Sequence, residues 1–135
     1  MKKHAPHVRD YMTHLPVEAE RCETANDGIE IMRRHSIRHI PVMNGSHLVG
    51  IVSQRDLLEA RVRLGDDFAS TSLDQICTTD VLTVSPVDPI DDVARKMLAR
   101  DAHSAVVVDR GFVVGIFTTS DALRFIANVF GQANS

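Results

Sequence analysis

The chain has 135 residues and a mass of 14.9 kDa, which is enough for one compact unit or two very small ones. Its net charge of −3, its pI near 6.1 and its single tyrosine give no general reason to expect binding to nucleic acid or to an anionic membrane. No apolar run approaches the ~20 residues of a membrane span, and none follows the N-terminal lysines as a secretory signal would, so a cytoplasmic location is expected.

An internal duplication organises the chain. A shift of 65 residues aligns Val8–Ala60 with Leu73–Phe125 without a gap, and nine of the 53 aligned positions are identical. The spacing of apolar residues agrees better than the identities do, which favours two copies of one structural unit.

In the first copy, "PVEAE" predicts a short strand and "TANDGIEIMRRH" predicts a helix with an apolar face. The runs "HIPVM" and "HLVGIV" flank Asn44-Gly45, a strong hairpin signal. An amphipathic helix then closes the copy through Leu57, Leu58, Val62 and Leu64.

The second copy repeats this order, with a strand at "DVLTVS" and a helix at "DPIDDVARKMLAR". Its hairpin strands, "SAVVVD" and "GFVVGIF", flank a turn that contains Arg110-Gly111. Its closing helix carries Leu123, Ile126, Val129 and Phe130.

Each copy therefore has the order β-α-β-β-α, and the predicted fold class is α+β. A unit of ~55 residues buries too little apolar surface to be stable alone, so we expect the two repeats to pack sheet to sheet about a pseudo-twofold axis with paired clefts. The predicted boundaries are a flexible N-terminus at 1–7, repeats at 8–64 and 73–130, a polar linker "GDDFASTS" at 65–72, and a C-terminal tail at 131–135.

A hydroxyl residue and an aspartate recur three positions apart where each hairpin meets its closing helix. Ser53 and Asp56 follow Gly50, and Thr118 and Asp121 follow Gly115. The spacing fits a capping box, in which both side chains satisfy backbone N–H groups at a helix start. It also suits a grip on a vicinal diol, with a helix N-terminus nearby for an anion and a glycine that lets a ring or backbone approach. The residues alone leave both interpretations open.

The remaining reactive side chains give weaker signals. Cys22 and Cys77 lack CxxC spacing and are expected to be free thiols in a reducing compartment. His4, His7 and His14 lie near the start without an HExxH pattern, and no histidine neighbours the two hydroxyl residues in sequence. The sequence thus predicts no metal site, no required cofactor and no catalytic residue, which makes an enzyme the least favoured alternative.

The order and doubled spacing of the segments resemble a tandem pair of cystathionine-β-synthase (CBS) domains over nearly the whole chain. The first copy contributes "VRDYMT", "IEIMRRHSIRHIPVM" and "LVGIVSQRDLL"; the second contributes "LDQICT", "VARKMLARDAHSAVVVD" and "VVGIFTTSDAL". The resemblance implies a regulatory module whose inter-repeat clefts bind AMP, ADP, ATP or another adenosyl compound.

The resemblance also implies roles for individual residues. It assigns the ribose to Ser53, Asp56, Thr118 and Asp121, with close approach at Gly50 and Gly115. It places the adenine among residues before each hairpin and in the N-terminal piece of the opposite copy: Ile37, Ile40, Ala102, Ala105, Thr13, Val17, Thr78 and Leu82.

Positive charge for a phosphate is distributed unevenly between the copies. The run "RRHSIRH" forms a basic patch in the first copy, and the resemblance points to Arg38 and His39 as phosphate ligands. The second copy offers His103, with Asp101 nearby to repel an anion. One tight and one weak site are therefore expected.

These observations together predict a stand-alone sensor of adenine nucleotides that modulates an unidentified target protein. A homodimer is expected from the resemblance, without nucleic-acid or membrane partners. The alternative is a structural or dimerisation module with empty clefts, in which the two hydroxyl–aspartate pairs serve only as helix caps.

Overall fold

The computed structural model describes residues 6–133, and residues 1–5 and 134–135 lie outside the described part. The predicted flexible N-terminus is therefore described only at residues 6 and 7, and His4 falls outside the described residues. The predicted C-terminal tail is helical through Ala133.

The described residues form seven strands, four α-helices and three 3-10 helices. The strands are β1 (Thr13–His14), β2 (Ala19–Glu20), β3 (His39–Asn44), β4 (His47–Ser53), β5 (Thr83–Val84), β6 (Ser104–Asp109) and β7 (Phe112–Thr118). The α-helices are α1 (Ala25–His35), α2 (Gln54–Leu64), α3 (Ile90–Arg100) and α4 (Thr119–Ala133), and the 3-10 helices cover Val8–Asp10, Gly65–Ser70 and Leu73–Gln75. After β1 the order β-α-β-β-α occurs twice, which confirms the predicted α+β repeat.

Two compact units divide the chain at points that differ from the repeat boundaries. The first-repeat unit comprises Val17–Val81, and the second-repeat unit comprises the residues up to Pro16 together with those from Leu82 onward. Each unit thus contains a short segment that the repeat alignment assigns to the other copy. The boundaries at 8–64 and 73–130 stay a sequence prediction.

The first-repeat unit contains a three-stranded sheet in the order β2-β3-β4, with β2 parallel and β4 antiparallel to β3. Helix α1 begins after Thr24, whose hydroxyl accepts the N–H of Asp27 while the Asp27 carboxylate accepts the N–H of Thr24. Satisfying these first-turn donors fixes the helix start. The fully buried side chains of β3 and β4, Ile40, Val42 and Val52, then pack with Leu57 of α2 in one apolar cluster.

The predicted polar linker contributes to this core. Residues Gly65–Ser70 form a 3-10 helix, and the Phe68 side chain is only 5 % exposed within the apolar cluster of the first-repeat unit. Leu73, which the repeat alignment places at the start of the second copy, is fully buried in the same cluster. Two apolar anchors therefore hold this connecting segment against the first repeat.

The second-repeat unit contains a four-stranded sheet in the order β1-β7-β6-β5. Strand β1 pairs antiparallel with β7 at its edge, and β5 lies parallel to β6 at the opposite edge. Val8 and Met12, which precede β1, are buried in the same cluster as Val93, Val107 and Phe117. The chain's first segment therefore completes the core of the second repeat.

The two hairpins use different turns. In the second hairpin Asp109 pairs with Phe112, so the turn predicted to contain Arg110 and Gly111 consists of these two residues, both with positive φ. In the first hairpin Asn44 still pairs with His47, and the turn is Gly45-Ser46, not Asn44-Gly45. Only Gly45 of that turn has a positive φ, at 61°, which places the glycine at the first turn position.

Candidate functional site

The first motif, which comprises Gly50, Ser53 and Asp56, lies at the junction of β4 and α2. Ser53 is the N-cap of α2, and its Oγ accepts the N–H of Asp56 at 3.0 Å. The Asp56 Oδ2 in turn accepts the N–H of Ser53 at 2.9 Å. The pair forms the capping box that its spacing predicts, and the Asp56 side chain remains partly exposed beside the positive end of the helix.

Gly50 is required because another segment of the chain crosses directly over it. A Cβ at this position would lie 2.5 Å from the carbonyl oxygen of Thr78 and 2.8 Å from the Sγ of Cys77. Ile51 and Thr78 exchange two backbone hydrogen bonds of 2.9 Å each, which fixes this crossing. The close approach that the glycine permits is thus made by the chain itself, and it brings the exposed Thr78 beside the first motif.

The predicted phosphate ligands of the first copy lie next to this junction. The carbonyl of Arg38 accepts the N–H of Gln54 at 2.8 Å, and His39 is the cross-strand partner of Ser53. The side chain of Arg38 is exposed, whereas that of His39 is partly buried. The cationic residue Arg38 therefore directly precedes His39, which pairs across the strands with the capping residue Ser53.

The adenine-enclosing residues predicted for the first copy separate into two kinds. Ile37 is partly exposed, but Ile40 is fully buried in the core of its unit, so it has no surface exposed to a ligand. Thr13 and Val17, predicted to act together, fall in different units, and so do Thr78 and Leu82. Leu82 is only 7 % exposed and belongs to the core of the second-repeat unit.

The second motif, which comprises Gly115, Thr118 and Asp121, lies at the junction of β7 and α4. The Asp121 Oδ2 accepts the backbone N–H of Thr118 at 2.9 Å and its Oγ1–H at 3.1 Å. The Asp121 Oδ1 accepts a hydrogen bond from Nη1 of Arg124 at 2.7 Å. Asp121 is only 4 % exposed, so this carboxylate is buried and engaged on both oxygens.

The surroundings of the second motif mirror those of the first. The carbonyl of His103 accepts both the N–H and the Oγ1–H of Thr119, which places His103 beside the helix start. Thr13 pairs with Ile116, and the Met12 side chain fills the space where Gly115 lacks a Cβ. The remaining predicted adenine-enclosing residues of this copy are Ala102, which is partly exposed, and Ala105, which is fully buried in the core.

Sequence reasoning missed three residues at these junctions: Met12, Cys77 and Arg124. The pKa of the Cys77 thiol is raised, mainly by burial and next by the neighbouring Asp74 carboxylate. This side chain therefore stays protonated beside Gly50. For Arg124 a signal was present, because the repeat alignment places Arg124 opposite Glu59, a reversal of charge next to otherwise equivalent aspartates.

The structure also bears on the histidines and on membrane insertion. Across residues 6–133, no three histidine, cysteine or acidic side chains lie close enough to hold a metal ion together. Among the helices of the described chain, none is both long enough and apolar enough to cross a bilayer.

Comparison with known protein families assigns the repeat. The family model of the CBS domain matches the chain twice, at residues 8–63 and 73–128. The chain belongs to the CBS domain family. Its two CBS repeats contribute the first and the second motif respectively.

Solved structures of CBS proteins have the same fold. A Vibrio cholerae protein named for acetoin utilization is 34% identical, with a TM-score of 0.85 over 97% of this chain and 98% of that protein. The CBS domain pair of protein MJ0100, in complex with 5′-methylthioadenosine and S-adenosyl-L-methionine, is 28% identical, with a TM-score of 0.84 over 92% and 98%.

Among curated sequences, an uncharacterized protein of Methanocaldococcus jannaschii, MJ1225, is 28% identical in an alignment that covers 89% of this chain. The chain spans 47% of that relative's length. A CBS pair of this size can therefore form one part of a longer protein.

Proposed function

We propose that this CBS pair is a regulatory module that binds an adenine nucleotide of the AMP, ADP or ATP class and thereby modulates a target protein in the cytoplasm. The observation that carries the proposal is the likeness to a CBS pair that holds two adenosine compounds. The chain supplies, at two equivalent junctions, the hydroxyl, the carboxylate and the helix start that a ribose and an anion require.

The first motif provides the chemistry for each part of such a ligand. Asp56 presents a partly exposed carboxylate that can accept both hydroxyls of a ribose. The backbones of Arg38 and His39 adjoin Gln54 and Ser53 at the same helix start, and their side chains are the candidates for hydrogen bonds to phosphate oxygens. Ile37 adds a partly exposed apolar surface for the adenine.

Regulation, rather than catalysis, follows from how such a ligand would act. A bound ligand shifts a protein between two states only if its affinity for those states differs. Both hydroxyls serve as helix caps, since Ser53 Oγ accepts the N–H of Asp56 and Thr118 Oγ1 accepts the N–H of Asp121. The output is therefore a change in affinity for a target protein.

A thermal-shift panel of AMP, ADP, ATP, 5′-methylthioadenosine and S-adenosylmethionine tests the proposal. A ligand at ~100 times its Kd adds roughly 2.7 kcal/mol of stability, which raises the melting temperature by several degrees. Asp56→Ala should abolish this shift if the first motif holds the ribose.

Asp27→Ala is the matched control, because Asp27 and Thr24 form the same capping box at the start of α1. Both substitutions should cost the unliganded protein about 1 kcal/mol through loss of a cap. Only Asp56→Ala should remove the response to the ligand. An equal ligand response in the two variants would show that Asp56 is a cap and nothing more, and no response to any adenosine compound would refute the proposed ligand class.

A second candidate function is a dimerisation module whose motifs serve only as caps. The closing helices favour it, since they expose large apolar side chains: Leu58, Val62, Leu123, Ile126, Val129 and Phe130. A homodimer through these faces would also be compatible with the sensor. Light scattering of the wild type and of Phe130→Glu, whose wild-type side chain is 65% exposed, tests the dimer without disturbing the core. A wild-type protein that is monomeric at every concentration would refute it.

A further inference from the structure

We propose that Arg124 closes the second motif, so that an adenosine ligand occupies the first motif and reaches the second only when this arginine is displaced. The inference rests on the proposed function and extends it to the regulation of one site. It follows from the different states of two carboxylates that the duplication makes equivalent, Asp56 and Asp121.

The acceptor capacity of Asp121 is nearly exhausted. A carboxylate offers about four acceptor positions, two on each oxygen. Three are taken, since Oδ2 accepts two hydrogen bonds from Thr118 and Oδ1 accepts one from Arg124. A ribose diol donates two hydrogen bonds, and one free position cannot accept both.

The carboxylate of Asp56, by contrast, has most of its acceptor positions unoccupied within the described part of the chain. Among the described residues, its carboxylate accepts only the N–H of Ser53, on Oδ2. At the position equivalent to Arg124 stands Glu59, which pairs with Arg55 on the exposed surface of α2 at 3.2 Å. The first motif therefore keeps the acceptor positions that a diol needs.

Arg124 can leave the motif without disturbing the core. Its side chain is 72% exposed while that of Asp121 is 5% exposed, so the pair joins a solvated cation to a buried anion. Losing the cation frees Oδ1 and removes the guanidinium that is bonded to it. The arginine thus acts as a displaceable cover, because its own packing contributes little to the fold.

Isothermal titration with 5′-methylthioadenosine and, separately, with AMP tests this inference. The first probe carries ribose and adenine without a phosphate, so it reports the diol grip alone. For the wild type we expect one equivalent bound, which Asp56→Ala abolishes. Arg124→Ala should add a second bound equivalent. Its affinity should exceed any residual wild-type binding at the second motif by about tenfold or more, because that is the effect of one charge-assisted hydrogen bond. Asp121→Ala in that background should remove it.

Two sets of controls isolate the effect. Arg95→Ala removes another exposed helix ion pair from the same unit, to Asp91 and Asp92, and should leave the stoichiometry at one. Glu59→Arg places an arginine three residues after Asp56 and should weaken the first site. Glu59→Ala, which removes the native pair without adding a cation, should not.

The outcomes separate this inference from the proposed function. Two equal sites in the wild type, or a single site that Arg124→Ala leaves unchanged, would overturn the inference and leave the function standing. Weaker AMP binding in Arg124→Ala would show that the arginine is a phosphate ligand, which also overturns it. If neither wild type nor Arg124→Ala binds either probe, both proposals fall.

Discussion

Replacing Gly50 with alanine tests whether this glycine serves the chain or a ligand. The new methyl group would lie 2.5 Å from the carbonyl oxygen of Thr78, a backbone atom that cannot rotate away. Thr78 must then move off Ile51, and the two backbone hydrogen bonds between them are lost or lengthened. At about 1 kcal/mol each the loss is about 2 kcal/mol. Alanine recovers about 0.4–1 kcal/mol by restricting the unfolded chain, so the net cost is about 1–2 kcal/mol.

Urea denaturation of the ligand-free protein measures this cost. Gly131→Ala is the matched control, because Gly131 lies in α4 and a Cβ added there would meet no atom within 4 Å. Alanine there should leave stability unchanged or raise it by up to about 1 kcal/mol. The reasoning is refuted if Gly50→Ala unfolds at the wild-type urea concentration while its ligand affinity falls. That result would mean that the glycine keeps space for a ligand and that the chain tolerates a side chain.

Three further substitutions or reactions test the fold. Phe68→Ala should lower the free energy of unfolding by about 3–5 kcal/mol, because Phe68 is buried in the core. Phe112→Ala should change it little, because the Phe112 side chain is 61% exposed, and equal effects would contradict the core role of the connecting segment. Burial and nearby carboxylates raise the pKa of the Cys77 thiol, so its thiolate fraction at pH 8 is reduced. Iodoacetamide should therefore modify the exposed Cys22 first, as followed by mass spectrometry, and the reverse order would contradict this reasoning. Arg110→Asn should raise the melting temperature slightly, because Arg110 has φ of 52° and asparagine tolerates that conformation better; a lower melting temperature would argue against strain in this turn.

The fold was largely predictable because local signals agree with the tertiary structure. Helix α1 occupies Ala25–His35 as its apolar spacing predicts, and the strands of both hairpins lie within about one residue of their predicted ends. The first turn was misplaced because Asn-Gly is a statistical preference, whereas the pairing of Asn44 with His47 depends on how the whole hairpin is registered.

The position of each motif was predictable from the sequence, but the degree to which each carboxylate is buried and occupied was not. The spacing of each hydroxyl–aspartate pair locates it at a helix start, and both pairs do form the predicted capping bonds. The same spacing occurs at Thr24 and Asp27, so a capping box alone identifies no ligand site. Burial of Asp121 depends on the packing around α4, which the repeat alignment does not report. Its bond to Arg124 is a contact between residues three apart on one helix, and the charge reversal at this position was the signal for it.

The interchange of segments between the compact units has a consequence for how such a chain could arise and be divided. A gene fragment that encodes only residues 73–130 would lack Val8 and Met12, and one that ends at residue 64 would lack Phe68 and Leu73. Either product would have an incomplete apolar core. An ancestor of half this length could complete its core only by exchanging its leading segment with a second copy of itself, as in a domain-swapped dimer. Fusion of two such genes would make that exchange intramolecular and permanent.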